Sequence, residues 1–321
     1  MSDRSRKHSA KAVVVLSVGA LLAIVAFMTV GASGPWSYVL PHRGAKLAAI
    51  LLVACSTAVS TILFQTVTAN RILTPSLIGL DSLFMLIQTA LIFVAGSNRI
   101  ATLDPRILFL AQVAAMMGFS ILLYRTLFAH RQNNLPFVLL VGIVAGAFFQ
   151  SLAGLMQRIM APNEFVVLQD RLFANFNTVH TDILVISALM LAAASVAAYR
   201  LLHTYDVLAL GRETAISLGI DYPRTTFRIL LIVSVMVGVS TALVGPIMFL
   251  GLLVAGLAHQ IAGSSRHRAL LPVAVLLSVI LLVGGQLILE RVFAFDTAIS
   301  IVIEFVGGLY FILLILRGQM R

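Results

Sequence analysis

Long apolar runs repeat along the whole sequence, with only short polar connections between them. Each of ten such runs is close in length to the roughly 20 residues that a helix needs to cross the hydrocarbon core of a bilayer. Hydrophobic residues make up 60% of the 321 residues and charged residues 11%, which excludes an ordinary soluble domain. The sequence therefore predicts an all-α, polytopic membrane protein with one transmembrane domain over residues 1–321. The predicted spans are 12–31, 47–68, 77–96, 106–124, 135–158, 182–200, 226–243, 246–262, 270–289 and 298–316.

The apolar run over residues 226–262 is too long to be an ordinary single span. One helix there would leave the basic residues at its two ends, Arg224 and Arg228 at one and Arg266 and Arg268 at the other, on opposite sides of the membrane. Glycine followed by proline, as at Gly245 and Pro246, is typical of a turn. We therefore predict two short spans joined by a tight external turn.

The basic residues predict the orientation of the spans. With ten spans both termini lie on one side, and 15 of the 22 Lys and Arg residues fall on that side. Positive charge is enriched in cytoplasmic connections, so we predict a multi-pass protein with both termini in the cytoplasm. The net charge of +10 arises from short clusters between spans, which does not indicate nucleic-acid binding. The first apolar run is longer than a signal-peptide core and is predicted to be a retained span.

No residue pattern predicts catalysis, a metal site or nucleotide binding by this chain. Cys55 is the only cysteine, and the seven histidines show no metal-ligand spacing. The three lysines, Lys7, Lys11 and Lys46, do not follow glycine, which excludes the Gly-Lys-Ser/Thr sequence of a phosphate-binding loop. If this protein works with ATP, ATP and Mg²⁺ bind to a separate subunit. We predict no cofactor and no enzymatic activity in this chain.

Residues 204–224 form an internal polar segment, bounded by Arg200 and Arg228 and placed in the cytoplasm by this charge. Leu208, Arg212, Ala215 and Gly219 are predicted to share one helical face. The sequence Leu-Gly-x-x-x-Ala-x-x-Leu-Gly over 210–219 resembles the coupling-helix motif of ATP-binding-cassette (ABC) importer permeases, most of all the iron–siderophore and cobalamin (FecCD-like) branch. The resemblance implies that this segment contacts the ATPase through Leu210, Gly211, Arg212, Glu213, Ala215, Leu218 and Gly219.

Two further motifs extend the resemblance over nearly the whole chain. The first is an ordered set around the second span, made of Arg43, Lys46, Gln65, Asn70, Pro75 and Gly79. The second is Gly-Pro-Ile-Met-Phe-Leu-Gly-Leu over 245–252, which is similar to a family signature, although Ala255 and Gly256 stand where the family usually has Pro-His. Asn-Glu-Phe at 163–165 and Phe-Ala-Asn-Phe-Asn at 173–177 are similar to the branch that handles catecholate and mixed-chelate siderophores.

The resemblance implies a fold and a set of partners. The expected fold is that of the cobalamin-importer permeases, with spans 2–5 and 7–10 as an inverted repeat. The expected partners are an ABC ATPase subunit, a second permease (identical or a paralogue), a periplasmic or lipid-anchored binding protein and the lipid bilayer of the bacterial inner membrane. Arg43 and Lys46 match family positions whose charges receive acidic residues of the binding protein.

Polar residues inside the predicted spans leave a second function open. Glu304 lies within the tenth span, where a charged carboxylate in contact with lipid is energetically costly. We therefore expect its side chain to face protein or a water-filled path. Gln65, Asn70 and Glu304 are the predicted residues of a translocation path, and Asp81 is expected to reach the headgroup region. The alternative is an ion-coupled secondary transporter of a small solute, with Glu304, Asp81 and Asp182 as candidate ion sites.

Overall fold

The computed structural model of the chain describes residues 3–31, 35–129, 135–177, 179, 181–292 and 298–316. These residues form fourteen α-helices and one turn of 3₁₀-helix at Pro75–Ile78. The helices are α1 (Asp3–Thr29), α2 (Trp36–Thr68), α3 (Leu80–Ala95), α4 (Ser97–Thr102), α5 (Pro105–Ala129), α6 (Leu135–Arg158), α7 (Pro162–Leu172), α8 (Thr181–Arg200), α9 (Leu202–Leu208), α10 (Arg212–Ser217), α11 (Tyr222–Val244), α12 (Leu250–Ile261), α13 (His267–Arg291) and α14 (Ile299–Leu316).

Ten of these helices coincide with the ten predicted spans, which confirms the all-α, polytopic prediction. Seven described helices are long and apolar enough to cross a membrane, and three shorter apolar helices, α3, α12 and α14, account for the remaining spans. The other four helices, α4, α7, α9 and α10, lie in the connections. The long run over 226–262 is divided as predicted, because α11 ends at Val244 and Gly245 adopts a φ of 98°.

Two spans are short because the chain before them is not α-helical. Residues 69–79 precede α3 and include Ala69 and Gly79, which have φ angles of 48° and 91°. Residues 245–249 precede α12 in the same way. The two breaks fall between spans 2 and 3 and between spans 7 and 8, which are equivalent positions in the expected inverted repeat.

The first break lies deep in the bundle and depends on glycine. A Cβ atom on Gly79 would lie 2.9 Å from the carbonyl oxygen of Gly142 and 2.9 Å from Cα of Gly146. Gly142 and Gly146 lie about 10–17 Å along α6, at 1.5 Å per residue. Irregular backbone at membrane depth is tolerated where protein covers it, and here three glycines allow that close contact.

The buried apolar side chains form two main clusters, and α2 contributes to both. The first cluster joins α1, α2, α12, α13 and α14. The second joins α2, α3, α5, α6, α8 and α11 with the two short helices α9 and α10. Large apolar side chains also cover the outside of the bundle, as at Val15, Phe148 and Phe305, which are 68%, 62% and 74% exposed. Such surfaces are those expected to face lipid or another subunit.

Candidate functional site

The connection between α8 and α11, here called the 201–221 segment, contains two short helices in place of one. Helix α9 ends at Leu208, and α10 begins at Arg212 after Gly211, which has a φ of 99°. The expectation that Leu208 and Arg212 lie on one continuous helical face is therefore wrong. Glycine is needed at this break because its φ lies in the region that other residues rarely adopt. The side of the bundle that carries this segment is called the segment side, and the other is called the far side.

Helix α10 presents apolar and charged side chains to the outside. Leu210, just before α10 in the chain, and Leu218, just after it, are 62% and 61% exposed. The Arg212 and Glu213 side chains are 47% and 89% exposed and 3.9 Å apart, and the Arg212 guanidinium lies 5.7 Å from the centre of the Tyr222 ring. Exposed leucines with flanking charges are features of a surface that another protein covers.

The small residues of the motif have different roles. Ala215 is fully buried within the second apolar cluster and so attaches α10 to the bundle. Gly219 has a φ of 85°, and a Cβ at Gly211 or Gly219 would meet no atom within 4 Å in the described part of the chain. Of the three, the two glycines leave space for a partner, whereas Ala215 does not.

A hydrogen-bonded cluster that the sequence analysis missed attaches α9 to the bundle. Asp206 Oδ1 accepts from the backbone N–H of His267 at 2.8 Å and lies 2.8 Å from His267 Nδ1. His267 Nε2 lies 2.7 Å from Thr66 Oγ1. The Tyr205 ring packs 5.5 Å from the His267 ring, and burial raises the pKa of the Tyr205 phenol. No spacing rule connects residues 61 positions apart, so this cluster had no signal in the sequence.

On the far side, the two predicted docking residues have partners within the chain. Lys46 is buried and lies 2.8 Å from Glu290. Arg43 donates to backbone carbonyls at the end of α1, including those of Phe27 at 2.8 Å and Gly31 at 3.0 Å. Both cations therefore contribute to holding α1, α2 and α13 together, and their contact with a binding protein stays a prediction.

Gln65 and Asn70, predicted to line a path, shape the chain after α2. Gln65 Nε2 donates to the Arg71 carbonyl at 2.6 Å, and the Asn70 side chain accepts from the backbone N–H of Ile72 at 2.9 Å. An asparagine that bonds two residues ahead is a common turn former. Both residues thus hold the start of the first break, and a role in a path stays a prediction for them.

The acidic residues of the alternative hypothesis lie in three different environments. Asp81 is 5% exposed, and it lines a cavity with Thr61, Ser76 and Thr241. The expectation that Asp81 reaches the headgroup region is therefore wrong, because α3 begins inside the bundle. Asp182 forms an exposed ion pair with Arg106 at 2.7 Å. Glu304 is partly buried on α14, and its predicted place in a path is untested.

The cavity beside Asp81 is where the two sequence motifs meet. Ser76 comes from the first break, and Met248 and Gly251 come from the second break and the start of α12. Among the described residues, no group of three or more His, Cys, Asp or Glu side chains could hold a metal ion. Broken spans that meet around a polar cavity, together with an exposed segment between spans, are features of a membrane transport permease.

The chain belongs to the FecCD transport family, whose model matches residues 10–317. It is 46% identical over 304 residues to the petrobactin import system permease protein YclO of Bacillus subtilis (strain 168), covering 95% of this chain and 96% of that protein. It is 34% identical over 285 residues to the petrobactin import system permease protein FatC of Bacillus anthracis, covering 88% and 79% of the two chains.

The fold is also similar to that of a solved structure, an inward-facing conformation of a metal-chelate type ABC transporter. The TM-score is 0.84, and the similarity covers 96% of this chain and 99% of that one. The sequences are only 19% identical, so this similarity concerns the fold alone. It agrees with the fold that the sequence motifs predict.

Proposed function

We propose that this chain is the permease subunit of an ATP-driven importer that moves iron–siderophore complexes into the cytoplasm. The observation that carries the proposal is the match to two petrobactin import permeases over nearly the whole chain. Ferric petrobactin is accordingly the first substrate to test. The exposed surface of α10 supports the ATP-driven mechanism, because a transporter that works alone has no need of it.

The proposed mechanism is alternating access. A separate ATPase subunit binds ATP and Mg²⁺ and contacts the 201–221 segment through Leu210, Arg212 and Leu218. Closure of the ATPase displaces α10, and the adjoining spans open the path inward after a binding protein has delivered the chelate. In this proposal the segment side is the cytoplasmic side of the inner membrane, and both termini lie there.

A second permease subunit, identical or paralogous, completes the proposed path. The apolar outer surfaces of α6 and α14, which include Phe148 and Phe305, are available for lipid or for that subunit. We retain Glu304, which is partly buried on α14, as a candidate residue of the path. The ion-coupled alternative is not favoured, since both relatives are permeases of import systems.

The test is purification of the complex from native membranes in mild detergent, followed by assays of ATPase activity and uptake of labelled ferric petrobactin in proteoliposomes. Leu218→Asp and Gly219→Trp should each lower binding-protein-stimulated ATPase activity by at least about ten-fold, the effect of losing about 1.4 kcal/mol of contact. Leu103→Asp is the matched control for retention of the ATPase subunit in the purified complex, because Leu103 is 49% exposed and lies on the far side, away from the 201–221 segment.

The outcomes separate the two functions. A co-purified ATPase whose stimulation depends on Leu218 supports the importer, and competition by ferric enterobactin or ferric citrate defines the chelate. Uptake that survives ATP depletion and collapses with a protonophore would refute the ATP-driven mechanism and favour the ion-coupled transporter. Equal loss of the ATPase subunit from the Leu103→Asp and Leu218→Asp complexes would refute the proposed contact surface.

A further inference from the structure

The 201–221 segment is attached to the two apolar clusters by different kinds of contact. Tyr205, Leu208 and Ala215 are buried in the second cluster, so apolar packing attaches α9 and α10 to that part of the bundle. The chain itself leads from α10 into α11, which belongs to the same cluster. Asp206 and His267 instead attach α9 to the start of α13, where Leu270 belongs to the first cluster and Leu271 packs against both clusters.

The contact between Asp206 and His267 is strong because two donors of His267 meet one carboxylate. One carboxylate oxygen meets both the backbone N–H and the Nδ1 atom of His267, each at 2.8 Å. The backbone N–H is one of the unpaired donors at the start of α13, where a negative charge is also favoured by the helix dipole. The His267 side chain is 3% exposed and that of Asp206 33%. Helix α9 and the start of α13 are therefore expected to move together.

The hydrogen bond between His267 and Thr66 can break while Thr66 keeps a second partner. Thr66 Oγ1 lies 2.7 Å from His267 Nε2, and it also lies 2.8 Å from the carbonyl oxygen of Ile62. Because the carbonyl of Ile62 is always within reach, the Thr66 hydroxyl keeps a hydrogen bond when the imidazole moves away. Separation of α13 from the end of α2 thus leaves the Thr66 hydroxyl paired, so that only His267 Nε2 bears the cost of a broken buried hydrogen bond.

We propose that Asp206, His267 and Thr66 form a joint that carries displacement of the 201–221 segment to α13 and α2. This inference rests on the proposed function, since it assumes an ATPase that moves the segment. The three are positioning residues, which act on the spans and do not contact the nucleotide or the chelate. Without the joint, motion of α10 still reaches the second cluster through α11, but its polar attachment to the first cluster is lost. ATP hydrolysis then continues while transport fails.

The experiment uses the whole complex in proteoliposomes, with the ATPase subunit and the binding protein, and measures ferric petrobactin transported per ATP hydrolysed. Thr66→Val, which removes the hydroxyl at nearly constant volume, should lower this ratio by at least about five-fold, the lower end of typical coupling between sites. Asp206→Ala should lower it further, and Thr66→Ser, which restores the hydroxyl, should return it to near the wild-type ratio.

A matched control separates coupling from stability. Asp104 accepts from the backbone N–H of Arg106 at 2.9 Å and so stabilises the start of α5, far from the joint along the chain. Asp104→Ala loses a comparable helix cap but should leave the ratio unchanged. The double variant Thr66→Val with Asp206→Ala should be no worse than Asp206→Ala alone, because both changes break one joint.

Two results would overturn the inference, and they differ from failure of the proposed function. A normal transport-to-hydrolysis ratio in Thr66→Val, with stimulated ATPase activity in the wild-type complex, would remove the joint and leave the importer intact. Lower yield and thermal stability with an unchanged ratio would reduce the cluster to a structural role. If the wild-type complex contained no stimulated ATPase, the proposed function itself would fall.

Discussion

The buried ion pair between Lys46 and Glu290 allows a quantitative test of the fold. Lys46 Nζ lies 2.8 Å from Glu290 Oε1, and the side chains are only 10% and 8% exposed. Removing one partner of a buried pair leaves the other charge uncompensated, which costs about 3–5 kcal/mol. Gln286 Nε2 also donates to Glu290 Oε1, at 3.0 Å, and offsets part of that charge. We therefore expect Lys46→Met to lower the free energy of unfolding by about 3 kcal/mol, the low end of this range.

A double-mutant cycle measures the pair directly. Lys46→Met with Glu290→Gln removes both charges and should recover most of the loss, because no uncompensated charge is then left buried. The measurement is reversible unfolding by SDS in mixed micelles, followed by helical circular dichroism. A coupling energy of about 2 kcal/mol or more is expected between contacting buried charges. Additive losses would show that Lys46 and Glu290 do not meet.

The same pair determines how the docking prediction must be tested. Reversing the charge with Lys46→Glu would place two carboxylates together in a buried position, so loss of uptake would not separate docking from misfolding. The exchange of Lys46→Glu with Glu290→Lys keeps the pair and moves the positive charge from α2 to α13. If this exchanged variant binds the binding protein as tightly as the wild type, the position of the charge is irrelevant and docking at Lys46 is refuted.

Two further predictions concern close packing and an unpaired hydroxyl. A Cβ on Gly146 would lie 3.0 Å from Cα of Gly79, whereas a Cβ on Gly154 of the same helix would meet nothing within 4 Å. In SDS unfolding, Gly146→Ala should therefore lower the free energy of unfolding by about 1–3 kcal/mol. Gly154→Ala should leave it unchanged or raise it. Equal effects would contradict the close contact between α6 and the first break. Tyr205 is 0% exposed, and its hydroxyl has no hydrogen-bond partner among the described residues. Tyr205→Phe should therefore change the free energy of unfolding by less than about 0.5 kcal/mol. A loss above about 1 kcal/mol would show that the hydroxyl has a partner.

Local sequence signals were sufficient to predict the spans. Apolar runs of membrane-spanning length predicted ten helices, and Gly245-Pro246 predicted the division of 226–262, because length and turn chemistry are properties of neighbouring residues. The depth of α3 was not predictable in this way. It depends on Gly79 meeting Gly142 and Gly146, and this contact is visible only after α6 has packed against the first break.

The candidate site was predicted in part. The motif over 210–219 located the exposed segment, but a face calculated at 3.6 residues per turn assumed one helix and missed the break at Gly211. The partners of charged residues were not predictable, since Lys46 and Glu290 are 244 positions apart and Asp206 and His267 are 61 apart. Sequence patterns indicate that an intramembrane charge needs a partner, but not which residue supplies it.

The two ends of α13 are held by contacts of different strength. At the far side, Glu290 forms its buried ion pair with Lys46 of α2, which is costly to break. At the segment side, about 34 Å away at 1.5 Å per residue, His267 meets Thr66 of α2 through a hydrogen bond for which Thr66 has an alternative acceptor. Force applied at Asp206 therefore acts on the weaker contact, far from the stronger one. Helix α13 should therefore move away from α2 at the His267 end and stay attached to α2 at the Glu290 end. Displacement of the 201–221 segment is thus expected to open the bundle on the segment side while the far side stays closed.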